Sequence, residues 1–123
     1  MQKNINKIKI KKEQVGQSEW MYGPKTEWAN YPGSDYTFVY SASCTNIPSY
    51  QSLTVDNFSA TTDPSCYGFG GSSGFAQNSP TLSYNAETGV ITCRHYLHGY
   101  GTNTEIRLQD KITIYCTYGY IEE

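Results

Sequence analysis

The sequence predicts an all-β fold, a single-domain antiparallel β-sandwich or jelly roll of about seven short strands. Three observations predict it. The large apolar side chains are 12 Tyr, 4 Phe and 2 Trp, with little Leu or Met, and aromatic rings suit a pleated, half-buried surface. Apolar residues recur with period two in several segments, while no stretch carries a helical period. Clusters of Gly, Pro, Asn and Ser separate these segments at short intervals, as expected of strands joined by turns. A chain of 123 residues supports one core and no more.

From Ile5 to Lys11, Ile8 and Ile10 lie on one side and Lys7, Lys9 and Lys11 on the other, which predicts a strand half-buried on its isoleucine face. Residues 1–14 are thus expected to form a basic N-terminal arm or edge strand, and residues 15–123 the sandwich domain. The aromatic segment Trp20 to Tyr22 leads through Gly23-Pro24 into a loop with Trp28, Tyr31, Pro32 and Gly33. Tyr36, Phe38 and Tyr40 then alternate with Thr37, Val39 and Ser41, so an aromatic face can cover the core. Phe38, Tyr40 and Tyr118 are the rings expected inside.

Beyond Ile47-Pro48, alternation over Leu53, Val55 and Asn57 predicts a second strand. The Gly- and Ser-rich stretch from Asp63 to Pro80 reads as a loop carrying Tyr67, Phe69 and Phe75, with room for one irregular edge strand. Leu82 and Tyr84, the Asn85–Gly89 turn and the alternation from Val90 predict a hairpin in which Gly89 takes the positive-φ position. Ile91, Cys93, His95 and Leu97 share its more apolar face. His98-Gly99-Tyr100-Gly101 reads as a turn, followed by a strand from Thr104 to Leu108. A last strand from Lys111 to Tyr120 presents Ile112, Ile114, Cys116, Tyr118 and Tyr120 on one face, which predicts a central place in the sheet.

Charge narrows the functional classes. A net charge of -2 gives no global attraction to phosphate, so no nucleic-acid partner is expected. No run approaches the roughly 18 apolar residues of a membrane span, and no apolar stretch follows the first lysines, which predicts no membrane insertion and synthesis in the cytoplasm without a signal peptide. Cys44, Cys66, Cys93 and Cys116 are widely spaced and expected to start as thiols, with three disulfide pairings open under oxidising conditions.

Cys93, His95 and His98 are the one cluster that invites a metal, but strand alternation turns His98 away from the other two and no C-x-x-C knuckle accompanies them. No metal and no cofactor are expected; buried thiols and a hydrogen-bonded histidine account for the cluster. Cys93 beside His95 also suggests a nucleophile and base, yet no orienting third group is visible in the sequence. Nucleophile-elbow, zinc-helix and phosphate-loop motifs are missing, and Gly68-Phe69-Gly70-Gly71 reads as a flexible loop. Asp35, Asp56, Glu87 and Glu105 are scattered, so no carboxylate pair for glycoside hydrolysis stands out. No catalytic residue is therefore assigned, and the chain is expected not to be an enzyme.

Binding is the remaining class. Trp20, Trp28, Tyr31, Tyr67, Phe69 and Tyr100 fall in loops or at segment ends, where rings can stack on sugars or pack on a partner protein; core packing is the plain alternative for each. Lys7, Lys9, Lys11 and Lys12 form a candidate assembly arm that would clasp a neighbouring subunit, with a solvated edge strand as the alternative.

The segments IPSYQSLTVDNFSA, LSYNAETGVITC and ITIYCTYGY give the later two thirds of the chain its character. In them the chain resembles small tail-associated proteins encoded by phages and prophages of Gram-positive bacteria. The resemblance implies a non-enzymatic virion component, namely a tail-fibre, baseplate or decoration subunit, that assembles with other virion subunits as a homo-oligomer and attaches to a host surface. A carbohydrate-binding module stacking Trp28, Tyr31 and a loop tyrosine on a host-surface glycan is the alternative. An intracellular inhibitor of host defence is the third.

Overall fold

Residues 7–122 are described by the computed structural model. The strands are β1 (Lys7–Gln17), β2 (Met21–Tyr22), β3 (Gly33–Ser43), β4 (Phe58–Thr62), β5 (Ser65–Gly68), β6 (Ser72–Gln77), β7 (Thr81–Asn85), β8 (Val90–Thr102), β9 (Ile106–Asp110) and β10 (Ile112–Glu122). They form a two-layered antiparallel β-sandwich.

In the first layer β10 lies between β1 and β4, and β9 lies between β2 and β5. These ladders form one continuous sheet. Pairing runs in a single register from Phe58 opposite Cys116 to Tyr67 opposite Arg107, and Asp63 N–H donates to the Lys111 carbonyl across the junction. Alternation also passes through the junction unbroken, so Ile106, Leu108, Asp110, Ile112, Ile114 and Cys116 all point inward and are fully buried. In the second layer β8 is central. β3 pairs along most of it on one side, while β6 and then β7 share the other. Its inward residues Ile91, Cys93 and Leu97 meet Phe38, Leu108, Ile112 and Ile114 in one core.

A buried polar seam ties the layers together. The Asp110 carboxylate accepts from the backbone N–H of Asp63 (3.0 Å) and Lys111 (2.8 Å), and its other oxygen lies 2.6 Å from His95 Nδ1. His95 Nε2 faces Gln77 Oε1 at 2.7 Å. Both ionisable side chains are fully buried, so each depends on the other for its hydrogen bonds.

Several expectations change. Ten strands replace seven, partly because the stretch from Asp63 to Pro80 supplies two, β5 and β6, where a loop with at most one irregular edge strand was expected. Their link turns at Gly71, where a Cβ would lie 1.9 Å from the Thr102 carbonyl oxygen, so only glycine allows this approach. The strand expected over Leu53–Asn57 is instead a 3-10 turn at Val55–Asn57: Thr54 Oγ1 accepts from Asp56 N–H and Asn57 Oδ1 accepts from Thr54 N–H. The turn expected at His98–Gly101 is extended, because Gly99 and Gly101 admit Leu108 and Thr104 close to the β8 backbone, at 3.0 and 2.8 Å from the positions a Cβ would take. The strand expected at Thr104–Leu108 runs from Ile106 to Asp110.

The faces of β1 are also reversed. Ile10, 72% exposed, and Ile8 share the outer side with Gly119 and Ile121, whereas Lys11 and Lys9 pair with Tyr118 and Tyr120 on the core side. A bulge at Val15 shifts the strand's alternation, and its leading half extends past the core. The Ile5–Lys11 reading begins outside the described residues. β1 itself runs across position 14.

The hairpin at Asn85–Gly89 forms as expected: Asn85 Oδ1 accepts from Glu87 and Thr88 N–H, and Gly89 takes φ +73°. β10 is central, flanked by β1 and β4. Phe38 and Tyr118 are buried, whereas Tyr40 is half-buried.

Candidate functional site

Because β9 and β10 alternate without a break, their odd-numbered residues Arg107, Lys111 and Tyr115 all face solvent on one side of the first layer. Neighbouring strands bring rings or cations to each. Arg107 Cζ lies 4.9 Å from the centre of the Tyr22 ring, and Tyr67 pairs directly opposite Arg107. Lys111 Nζ is 5.4 Å from the Trp20 ring, and Lys12 Nζ is 5.0 Å from the Tyr115 ring. At the other end Lys25 Nζ sits 4.5 Å from the Phe69 ring and 2.7 Å from Glu105.

Energetically significant cation–π contacts occur roughly once per 70–80 residues, so about one or two would be expected in a chain of this length. Four ring–cation pairs within about 5.5 Å occur among the described residues, all on this face. Between Trp20 and Tyr115 the surface sinks into a groove of about 400 Å³, lined also by Gln17, Thr61, Asp63, Lys111 and Thr113. Gln17 Nε2 donates to Thr113 Oγ1 at 2.8 Å, which presents an amide and a hydroxyl along the groove floor.

Trp20, Tyr67, Phe69 and Lys12 of the sequence-predicted contacts are brought together here. Tyr100 lies on the opposite surface, the outer side of the second layer. Trp28 and Tyr31 are exposed in the segment between β2 and β3, which is anchored where Ala29 bridges Thr104. Lys7, Lys9 and Lys11 sit on exposed β1, opposite Glu122, Tyr120 and Tyr118. Tyr22, Lys25, Arg107, Lys111 and Tyr115 were not singled out from sequence. Alternation opposite Ile106, Ile112 and Ile114 is the signal that would have marked three of them as outward, but nothing in sequence showed which rings lie across from them.

The outer side of the second layer is arranged differently. Asp35 Oδ1 accepts from Tyr96 Oη at 2.6 Å and lies 2.7 Å from His98 Nδ1, and the Tyr100 ring follows along β8. The hydrogen bonds from Tyr96 and then His98 lower the Asp35 pKa, while the bond to Asp35 raises that of Tyr96.

Cys93 and His95 share a face but make no activated pair. Both His95 ring nitrogens are engaged by Asp110 and Gln77, and burial, followed by the Asp110 charge, pushes the Cys93 thiol up to about 11. His98 points to the opposite side, and no metal-holding group of three His, Cys, Asp or Glu exists among the described residues. All four cysteines are free thiols. A concavity of about 670 Å³ beside the Asn85–Thr88 turn is lined by Ser83, Asn85, Thr88 and Thr92 among others.

No protein-family model, curated protein or solved structure matches the chain.

Proposed function

We propose that the chain is a non-enzymatic subunit of a phage or prophage particle that attaches to a host-surface glycan through the outer face of the β9–β10 sheet. The observation that carries the binding half of this reading is the row of four ring–cation pairs on one solvent-facing surface. Flat rings stack on the apolar faces of sugars, and the groove between Trp20 and Tyr115 offers Gln17 and Thr61 to their hydroxyls. The particle half of the reading comes from the resemblance in sequence. It is supported by β1, whose second edge has no strand partner among the described residues and which carries Lys7, Lys9, Lys11 and Lys12 towards a neighbouring subunit.

Fluorescently labelled chain is expected to bind cell-wall glycan isolated from Gram-positive bacteria and to lose that binding in a Trp20→Ala/Tyr67→Ala variant. Failure to bind any glycan in a broad panel, or turnover of a glycan, would overturn the reading. Light scattering tests assembly separately: an oligomer that dissociates on Lys9→Glu/Lys11→Glu supports the β1 contact, and a monomeric wild type removes it.

A further inference from the structure

We infer that the ligand of this face is an anionic glycan polymer, one that repeats a phosphate or a carboxylate between sugar or polyol units. The inference rests on the glycan reading above and adds the charge and length of the ligand.

Charge comes first. Four of the nine Lys and Arg residues, Lys12, Lys25, Arg107 and Lys111, stand on this one face of a chain whose net charge is -2. Of the four, only Lys25 has a carboxylate partner among the described residues, Glu105. A ring beneath a cation positions it without neutralising it, so Lys12, Arg107 and Lys111 keep their charge available to an incoming anion. Such a local cluster attracts an anionic ligand even where the chain as a whole does not.

Length follows from the strand. The row runs along β9 and β10 from Phe69, across from Glu105, to Lys12, across from Thr117. At about 3.3 Å per residue this is on the order of 40 Å, longer than a monosaccharide or disaccharide can fill. A linear polymer can lie along it and meet the cations in succession.

Neutral groups separate a glycan from a nucleic acid. Gln17 and Thr61 line the groove between the cations, and they suit the hydroxyls of sugars or polyols. Asp63 on the same groove and Glu105 beside Lys25 reduce the charge density along the row. That pattern fits a polymer with spaced charges better than the dense phosphate ladder of DNA or RNA.

Calorimetric titration of the full chain with poly(glycerol phosphate), polyglucuronate, neutral dextran and an oligothymidylate tests this. At least one of the two anionic glycans is expected to bind, and the tighter of them identifies phosphate or carboxylate as the natural group. Raising the salt from about 50 to about 300 mM should weaken that binding roughly 40- to 130-fold, as counterion release predicts for about three neutralised charges. Lys12→Gln/Lys111→Gln should lower affinity about tenfold or more, as loss of two such contacts predicts, with the single Lys111→Gln as a second variant and melting temperature as the check on folding. Arg94→Gln, on the opposite face, should bind as the wild type does.

Dextran bound as tightly as the anionic polymers, without salt dependence, would overturn the anionic assignment and leave the glycan reading standing. Oligothymidylate bound more tightly than either anionic glycan would replace it with a nucleic acid. No binding by any polymer would overturn both.

Discussion

The two outer faces of this sandwich are built from the same strand alternation and differ in what lies across from each ring. On the second layer, Tyr96 Oη and His98 Nδ1 both hydrogen-bond to Asp35, so these two atoms are engaged within the protein. On the first layer, Trp20, Tyr22 and Tyr115 lie beside Lys111, Arg107 and Lys12, none of which has a carboxylate partner among the described residues. The Asp35 cluster closes its own interactions, while the first layer leaves charge and ring surface exposed. An exposed aromatic thus acquires its meaning from its cross-strand neighbour.

The comparison breaks most completely at Asp110, which joins the two halves of the first layer and ties them to β8. Asp110→Ala should destabilise the protein by about 3–5 kcal/mol, because it leaves His95 and two backbone donors buried without their partner. Urea denaturation measures this, and a loss under about 1 kcal/mol would mean that the seam is not what holds the sheet together. Next in size, Trp20→Ala should cost on the order of 1–3 kcal/mol in polymer binding, the range of ring stacking on a flat ligand. Tyr100→Ala, on the closed face, should leave the isotherm unchanged.

Two titrations sharpen the contrast between inner and outer surfaces. The Tyr118 hydroxyl donates to Glu13, and that bond, followed by burial, pushes its pKa up to about 12 from 10.0. The stabilisation from this bond is therefore complete below pH 10 and lost as the pH rises through about 12; ultraviolet titration should show a last tyrosine that Glu13→Gln brings earlier. Burial likewise raises Cys93 and Cys116 to about 11, so a thiol reagent should label half-buried Cys66 first and reach those two only on unfolding.

The smallest effect belongs to Asp35, whose carboxylate is exposed. Its lowered pKa means that its contribution is present above the ordinary carboxylate range and fades as acid protonates it. Asp35→Asn should remove that acid-side dependence and let Tyr96 ionise earlier, without altering polymer binding.

Much of this architecture was legible in the sequence, and the misses have physical causes. Alternation over Tyr36–Tyr40, Ile91–Leu97 and Ile112–Tyr118 identified the core-facing side of three strands, and Asn85–Gly89 identified the tightest turn. Gly99 and Gly101 suggested a turn because glycine marks turns in isolation; here they make room for Leu108 and Thr104, a packing reason that is not visible locally. Ile8 and Ile10 obeyed a strand's period, but a bulge at Val15 and an overhang past the core decided which face was wet.

Trp20, Tyr67 and Phe69 were legible as candidate contacts from their positions, and all three rings are exposed. Their assembly into a row was not, since Lys111 and Arg107 come from the far end of the chain and reach these rings only through β1–β10, β2–β9 and β5–β9 pairing.

The most direct test of the account is an amide and indole NMR titration of the full chain with poly(glycerol phosphate) and with polyglucuronate. The Trp20 indole and the backbone amides from Arg107 to Tyr115 are expected to shift together with at least one polymer, while those from Tyr96 to Tyr100 stay still. Shifts confined to Tyr96–Tyr100, or no shifts with either polymer, would contradict it.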